Sequence, residues 1–166
     1  MKRFPLLIAS TILFVLCLFQ PAVEFEKVCG FSARVAGLGN EPLGDLEVMR
    51  GAEILLLGGF GVLFMQAGAV GWLANPLYFA ALLLAFITRS LKAKIVVELC
   101  AVTALGIAII SLSQTNQFPL LADEGGVCRL SAIQPKPGHW LWMSAIGLLN
   151  IHALISLFRN SEQPRA

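Results

Sequence analysis

Long apolar stretches alternate with polar segments along this chain of 166 residues. The longest, residues 54–88, holds thirty-five residues without a formal charge. A straight helix of that length would measure about 52 Å, whereas the hydrocarbon core of a bilayer is only about 30 Å thick. The stretch therefore cannot be one straight crossing. Asn75 and Pro76 near its middle predict a break within residues 71–76, because proline removes a backbone donor and restrains its predecessor.

The same pattern predicts an all-α fold, a polytopic membrane helix bundle that forms one integral domain. Two connections, residues 23–53 and 113–138, are polar and contain many turn-forming residues, which predicts two water-exposed loops. The predicted helices span about residues 4–22, 54–71, 76–89, 95–112 and 139–158.

The first apolar run follows Lys2 and Arg3, as it also would in a cleaved signal peptide. A signal peptide normally ends in small residues at its cleavage site, and Gln20-Pro21-Ala22 is a poor site of that kind. We therefore expect an uncleaved first helix.

The apolar piece 54–71 is unusual in its glycine content. Gly61 and Gly68 are seven residues apart and so lie on one face of a helix, where small residues let a neighbouring backbone approach closely. This face could pack against a membrane-protein partner or a second copy of the chain. The alternative is a re-entrant half-helix, since irregular backbone is tolerated at membrane depth where it is covered by protein.

The distribution of Lys and Arg leaves two topologies open. Four crossings plus a glycine-rich half-helix, with both termini in the cytoplasm of a bacterial inner membrane, place seven basic residues inside against five outside. Five crossings with the N-terminus outside give eight against four. We prefer four crossings because a basic pair directly abuts the first apolar run. The seven residues are Lys2, Arg3, Arg89, Lys92, Lys94, Arg159 and Arg165.

Composition agrees with a bilayer environment. Hydrophobic residues make up 57% of the chain and charged residues 13%, against about 25% charged residues in ordinary soluble domains. The chain has no room for a separate soluble catalytic domain, and no phosphate-binding loop, nucleophile elbow or zinc-protease helix occurs in it. Neither a cofactor nor a nucleic-acid partner is expected.

Two of the four cysteines, Cys29 and Cys128, lie in the two polar connections. In the preferred topology both face the oxidising side of the membrane, which predicts a disulfide between them. The alternative is two unrelated thiols. There is no Cys-x-x-Cys pair to suggest a redox enzyme, and His139 has no partner at a ligand spacing, so no metal site is expected.

Glu98 and His152 are the most interesting polar residues, because ionisable groups in membrane segments are costly and often functional. Their helices run antiparallel and place the two side chains at similar depth, so they could share a hydrogen bond, relay a proton or hold a polar ligand. The alternative is that Glu98 extends toward the interface beside Lys94 while His152 bonds a neighbouring helix.

Three amides complete the candidate site. Asn150 lies about 200° around the helix from His152 and is more typical of an interhelical contact. Asn75 is suited to cap the helix that begins at Pro76. Gln66 lies among the glycines of the preceding piece.

These observations favour a small, non-enzymatic membrane component that binds a partner. The alternative is a transport or permeation component that uses the intramembrane polar residues. An intramembrane enzyme built on Glu98 and His152 is the weakest hypothesis, because no catalytic motif supports it.

Overall fold

The computed structural model describes residues 5–29, 45–63, 67–87, 90–113, 117–119 and 128–161. Helices dominate and a small antiparallel sheet covers one end of them. The helices are α1 (Pro5–Phe19), α2 (Gly51–Leu63), a 3₁₀ helix (Ala67–Leu73), α3 (Ala74–Ile87), α4 (Leu91–Ser113) and α5 (Pro137–Ser161). The strands are β1 (Pro21–Cys29), β2 (Asp45–Arg50), β3 (Gln117–Pro119) and β4 (Cys128–Pro135).

The sheet has the order β2-β1-β4-β3, and each neighbouring pair is antiparallel. The prediction of two loops over 23–53 and 113–138 is therefore wrong at the strand residues, and the all-α class describes only the helices. β1 alternates apolar and acidic side chains, with Phe25 almost fully buried between Glu24 and Glu26. Such alternation is typical of a strand with one covered face.

The sheet brings both polar segments to the same end of the helices. β1 follows α1 after a single residue, and α5 follows β4 after a single residue, Lys136. The Gly51 amide donates to the Gln20 carbonyl at 3.1 Å, and the Lys136 amide donates to the Ala22 carbonyl at 2.8 Å. These bonds fix the start of α2 and of α5 against the junction of α1 with β1.

Local capping explains where two helices begin. In the first turn of α2, a Glu53 carboxylate oxygen accepts from the Arg50 amide at 2.7 Å, which satisfies a donor that the helix leaves open. Ser90 precedes α4, and its hydroxyl accepts from the Ala93 amide at 3.2 Å.

The core lies between α1, α3, α4 and α5. Alanines at the contacts allow close approach of the helix backbones, as is usual in membrane bundles. Larger side chains fill the middle of the bundle, and Tyr78, Leu7, Ile146 and Leu149 are fully buried there. The buried alanines are Ala74, Ala81, Ala101, Ala104, Ala108, Ala145 and Ala153.

The 3₁₀ helix runs back beside α2. Trp72 lies against Gly58 and Gly59, and its indole Nε1 donates to the Leu55 carbonyl at 2.6 Å. Because Trp72 follows Leu55 by seventeen residues yet contacts the same part of α2, the chain has folded back on itself. Helix α2 and α3 are thus separate elements within the long uncharged stretch.

The change from 3₁₀ to α geometry falls at Ala74, inside the predicted interval 71–76. Pro76 lies in the first turn of α3, where its missing N–H costs no intrahelical bond. Asn75 does not cap the helix. It already lies within α3, and its side chain contacts α5 instead.

Three helical segments of the described chain are long and apolar enough to cross a membrane: Ala69–Ile87, Leu91–Ser111 and Pro137–Phe158. Helices α1 and α2 are shorter apolar helices. The outer helix surfaces expose large apolar side chains such as Leu83, Leu99 and Phe158. In water such surfaces would be unfavourable, so this is a membrane-embedded protein.

The contact of Gly58 with Trp72 gives a stability prediction. A Cβ at position 58 would lie 2.5 Å from Trp72 Cδ1, whereas a Cβ at Gly106 would meet nothing within 4 Å. We expect Gly58→Ala to lower the free energy of unfolding by about 1–3 kcal/mol through overpacking. Gly106→Ala is the matched control, and it should change stability by less than about 1 kcal/mol.

Thermal unfolding in detergent, followed by tryptophan fluorescence, measures both variants. Equal midpoints for Gly58→Ala and Gly106→Ala would contradict the packing of Trp72 on α2. Trp72→Phe combined with Gly58→Ala should recover part of the loss, because the smaller ring leaves room for the methyl group.

Candidate functional site

The buried amides of the predicted site hold helices together. Asn150 on α5 is almost fully buried, and its Nδ2 donates to the Ala101 carbonyl of α4 at 2.8 Å and to the Ile146 carbonyl at 3.1 Å. Asn75 on α3 is also buried, and its Oδ1 accepts from the Trp142 indole of α5 at 2.8 Å. Asn150 therefore makes the interhelical contact that its sequence position predicts.

The predicted contact of Glu98 with His152 is not formed among the described residues. Both side chains are half-buried, and no hydrogen bond or ion pair joins them. Since Asn150 faces α4 and two residues turn a helix by about 200°, His152 lies on another face of α5.

Lys94 is directed toward α5 rather than left at the helix end. Its Nζ donates to the Ser156 carbonyl at 3.2 Å. Glu98 keeps one buried carboxylate oxygen, Oε2, without a hydrogen-bond partner in the described structure.

The remaining predicted residues do not join this group. Gln66 lies outside the described residues. Gly61 is buried within the chain, so the protein itself covers that part of the predicted partner face. Gly68 belongs to the 3₁₀ helix, and its surroundings lie outside the description.

A buried polar contact that sequence reasoning missed joins three helices. The Ser10 hydroxyl of α1 donates to the Ala145 carbonyl of α5 at 2.8 Å, and Tyr78 Oη of α3 lies 2.9 Å from Ser10 Oγ. Because the serine proton is already used, the tyrosine is the donor. Phe14 stacks on the Tyr78 ring with centroids 4.8 Å apart. The sequence signals available for this contact were a single serine in an apolar run and the only tyrosine of the chain.

Cys29 and Cys128 stand directly opposite each other in the antiparallel pair of β1 with β4. Opposed residues in such pairs have Cα separations of about 4.5–5.5 Å, within the range that a disulfide can bridge. Their side chains are outside the description. Of the cysteines whose side chains are described, Cys17 and Cys100 are free thiols in α1 and α4.

A polar group ties β1 to the start of α5. Glu24 Oε2 accepts from Gln134 Nε2 at 2.5 Å and lies 2.5 Å from the Lys136 ammonium. The hydrogen bond from Gln134, followed by that from Lys136, lowers the pKa of the Glu24 carboxyl below its ordinary value. This carboxylate stays ionised over the neutral range and contributes to the sheet as a charged acceptor.

Strand β2 lies at one edge of the described sheet. Among the described strands it pairs only with β1, and its exposed residues include Leu46 at 54% and Val48 at 47% exposure. The opposite edge strand, β3, has only three residues and ends in Pro119. Proline and short length protect an edge from further pairing, and β2 has neither protection.

No group of three or more His, Cys, Asp or Glu side chains that could hold a metal ion occurs in the part of the chain that the structure describes. No protein-family model, curated protein or solved structure matches the chain. The functional argument therefore depends on the contacts and surfaces of this molecule.

The Ser10 and Tyr78 contact is testable by a double-mutant cycle. Tyr78→Phe removes only the buried hydroxyl, and we expect it to cost about 1 kcal/mol of stability, with a similar loss for Ser10→Ala. The double variant should lose less than the sum, because both changes delete one shared hydrogen bond. Unfolding in mixed detergent micelles measures the cycle. Strict additivity of the two losses would contradict the contact.

Proposed function

We propose that this protein is a non-enzymatic component of a bacterial inner membrane that binds a protein partner on the extracytoplasmic side. In this proposal α1, α3, α4 and α5 cross the bilayer and both termini lie in the cytoplasm. Helix α2 and the 3₁₀ helix form a re-entrant hairpin that enters and leaves on the sheet side.

The pairing of β1 with β4 supports four crossings. Five crossings would put segments 23–53 and 113–138 on opposite sides of the membrane, where their strands could not pair. The bond from Trp72 to Leu55 supports the hairpin, since it returns the chain toward the side from which α2 starts. Both observations favour the topology in which both termini lie on the same side of the membrane.

Charge supports the same orientation. The two segments on the sheet side carry five basic and eight acidic residues. The short segments at the other end carry seven basic residues and one acidic residue, Glu162. Short loops rich in Lys and Arg stay in the cytoplasm of bacterial membranes.

The observation that carries the partner-binding role is the edge of β2 that no described strand covers. Apolar side chains exposed on a membrane helix are covered by lipid, but Leu46 and Val48 belong to the sheet, beyond the apolar helices. An exposed apolar edge with unpaired backbone groups binds an extended segment of another protein as an added strand. Glu47 between these residues favours a segment with a basic side chain opposite it.

The hydrogen bonds that the intramembrane amides make to neighbouring helices favour a binding component over a transporter. Asn75 and Asn150 are buried and bonded to neighbouring helices, so they hold the bundle together. A polar pathway through the membrane requires such groups to face the permeating species.

A photoreactive amino acid at Val48 tests the partner role in native membranes. We expect irradiation to give a discrete protein adduct, because the partner strand lies against this edge. Incorporation at Leu83, an exposed apolar position on α3, is the control and should give lipid adducts only. The Val48 adduct should disappear when Leu46→Lys places a charge on the same face.

Lipid adducts alone at Val48 would contradict partner binding. An adduct with a second copy of the chain would replace the separate partner by a homo-oligomer. Flux of ions through purified protein in vesicles, without any adduct at Val48, would favour the transport alternative.

The proposal includes a disulfide between Cys29 and Cys128 that locks β1 to β4. Its formation removes two protons and two electrons, which pass to the disulfide of an extracytoplasmic thiol oxidase. We expect two of the four cysteines, Cys17 and Cys100, to react with a maleimide in the denatured, unreduced protein, and all four after reduction. Mass spectrometry of the labelled chain measures this.

Cys29→Ser should expose Cys128 to the reagent, whereas the matched control Cys17→Ser should leave both strand cysteines protected. Four reactive cysteines in unreduced protein from native membranes would show that the strand cysteines are unrelated thiols.

A further inference from the structure

We propose that Glu98 is the docking point for a transmembrane helix of the partner, and that this helix carries a Lys or Arg at the depth of Glu98. The proposal depends on the partner-binding role argued above and adds an intramembrane contact to it. It arises from an unpaired carboxylate and from the surface of α4 beside it.

The carboxylate lies well inside an apolar helix. Glu98 is seven residues beyond Leu91, which places it about 10 Å along α4. Its Oε2 is buried and has no hydrogen-bond partner in the described structure. A carboxylate at membrane depth is costly unless a cation or donors compensate it.

Two polar side chains close to Glu98 donate hydrogen bonds to backbone carbonyls. Lys94, one turn away, donates to Ser156 on α5. Asn150 donates through Nδ2 to two backbone carbonyls, which uses both amide hydrogens. His152 forms no hydrogen bond with Glu98 Oε2. A basic side chain on another membrane helix would therefore reduce the cost of this carboxylate.

The surface around Glu98 suits a helix. One face of α4 carries a stripe of four residues at a 4-3-4 spacing, which keeps them within about 60° of one another around the helix. The stripe consists of Glu98, Val102, Leu105 and Ile109. Val102 is 51% exposed and Ile109 is 52% exposed. Gly106 borders this stripe and has open space where a Cβ would be, which lets a second backbone come close.

Charge complementarity selects the occupant. Acyl chains cover apolar side chains equally well, but they offer no donor to a carboxylate. A basic side chain on a helix that packs along the stripe supplies both the apolar contact and the opposite charge. Ionisable residues of opposite sign pair in this way within membranes.

A model transmembrane peptide tests this directly. The probe is a fluorophore-labelled helix of leucine and alanine with one lysine at the depth of Glu98, reconstituted with the labelled protein in phosphatidylcholine vesicles. We expect energy transfer between them, and about tenfold weaker association with Glu98→Gln. The same peptide with leucine in place of lysine should bind the unaltered protein weakly. Its affinity should equal that of the lysine peptide for Glu98→Gln.

Two further variants separate charge from folding. Thr103→Val on α4, about 140° around the helix from Glu98, is the matched control and should bind the lysine peptide normally. Glu98→Lys should prefer a peptide that carries glutamate. Equal binding of the lysine peptide to Glu98→Gln and to the unaltered protein would overturn the proposal. So would energy transfer between two copies of the protein that depends on Glu98, since the occupant would then be a second copy.

The Val48 adduct distinguishes failure of this site from failure of the partner role. If the Val48 adduct persists in Glu98→Gln and peptide binding is independent of Glu98, the extracytoplasmic partner role is retained and the intramembrane site is rejected. If peptide binding depends on Glu98 but Val48 gives no adduct, the intramembrane site is retained and the sheet edge is rejected as a partner contact.

Discussion

The pairing of β1 with β4 is the interaction on which the rest of the structure depends. It joins two strands that are separated in sequence by three helices and the 3₁₀ helix, and it places the end of α1 and the start of α5 side by side. In a membrane the chain can leave and return to one side only through an even number of crossings. In the proposed topology α3 is one passage and α4 is the other, while α2 and the 3₁₀ helix together turn back without crossing.

The local sequence of α2 is suited to turning back. Thirteen residues measure about 20 Å, less than the hydrocarbon thickness of about 30 Å. Gly58 and Gly59 leave the groove in which Trp72 lies, so the returning segment packs directly on the backbone. The indole also donates to a carbonyl of α2, which satisfies its N–H at a depth where water is scarce. In the proposed topology, these glycines and the tryptophan take the place of a second full-length helix.

Sequence analysis predicted the helices because apolar runs bounded by charges depend only on local composition. It missed the sheet because strand pairing is non-local. The alternation of Val23 and Phe25 with Glu24 and Glu26 was available as a signal, but it lies beside a glycine-rich stretch typical of a loop. Three residues of β3 carry no period at all. For Glu98 and His152, residue counting gave the depth, whereas the rotation of each helix depends on packing that only the structure provides.

The polar residues inside the bundle divide into two kinds. Tyr78, Asn75 and Asn150 are neutral, and each is satisfied by a partner on a neighbouring helix. Those contacts hold the helices in place without any charge. Glu98 adds nothing to them, since its buried oxygen has no partner in the described chain, and an apolar residue at that position would avoid the cost of a carboxylate in the membrane. Folding alone gives no reason for a charge there, which favours the proposed contact of Glu98 with a basic residue of a partner helix.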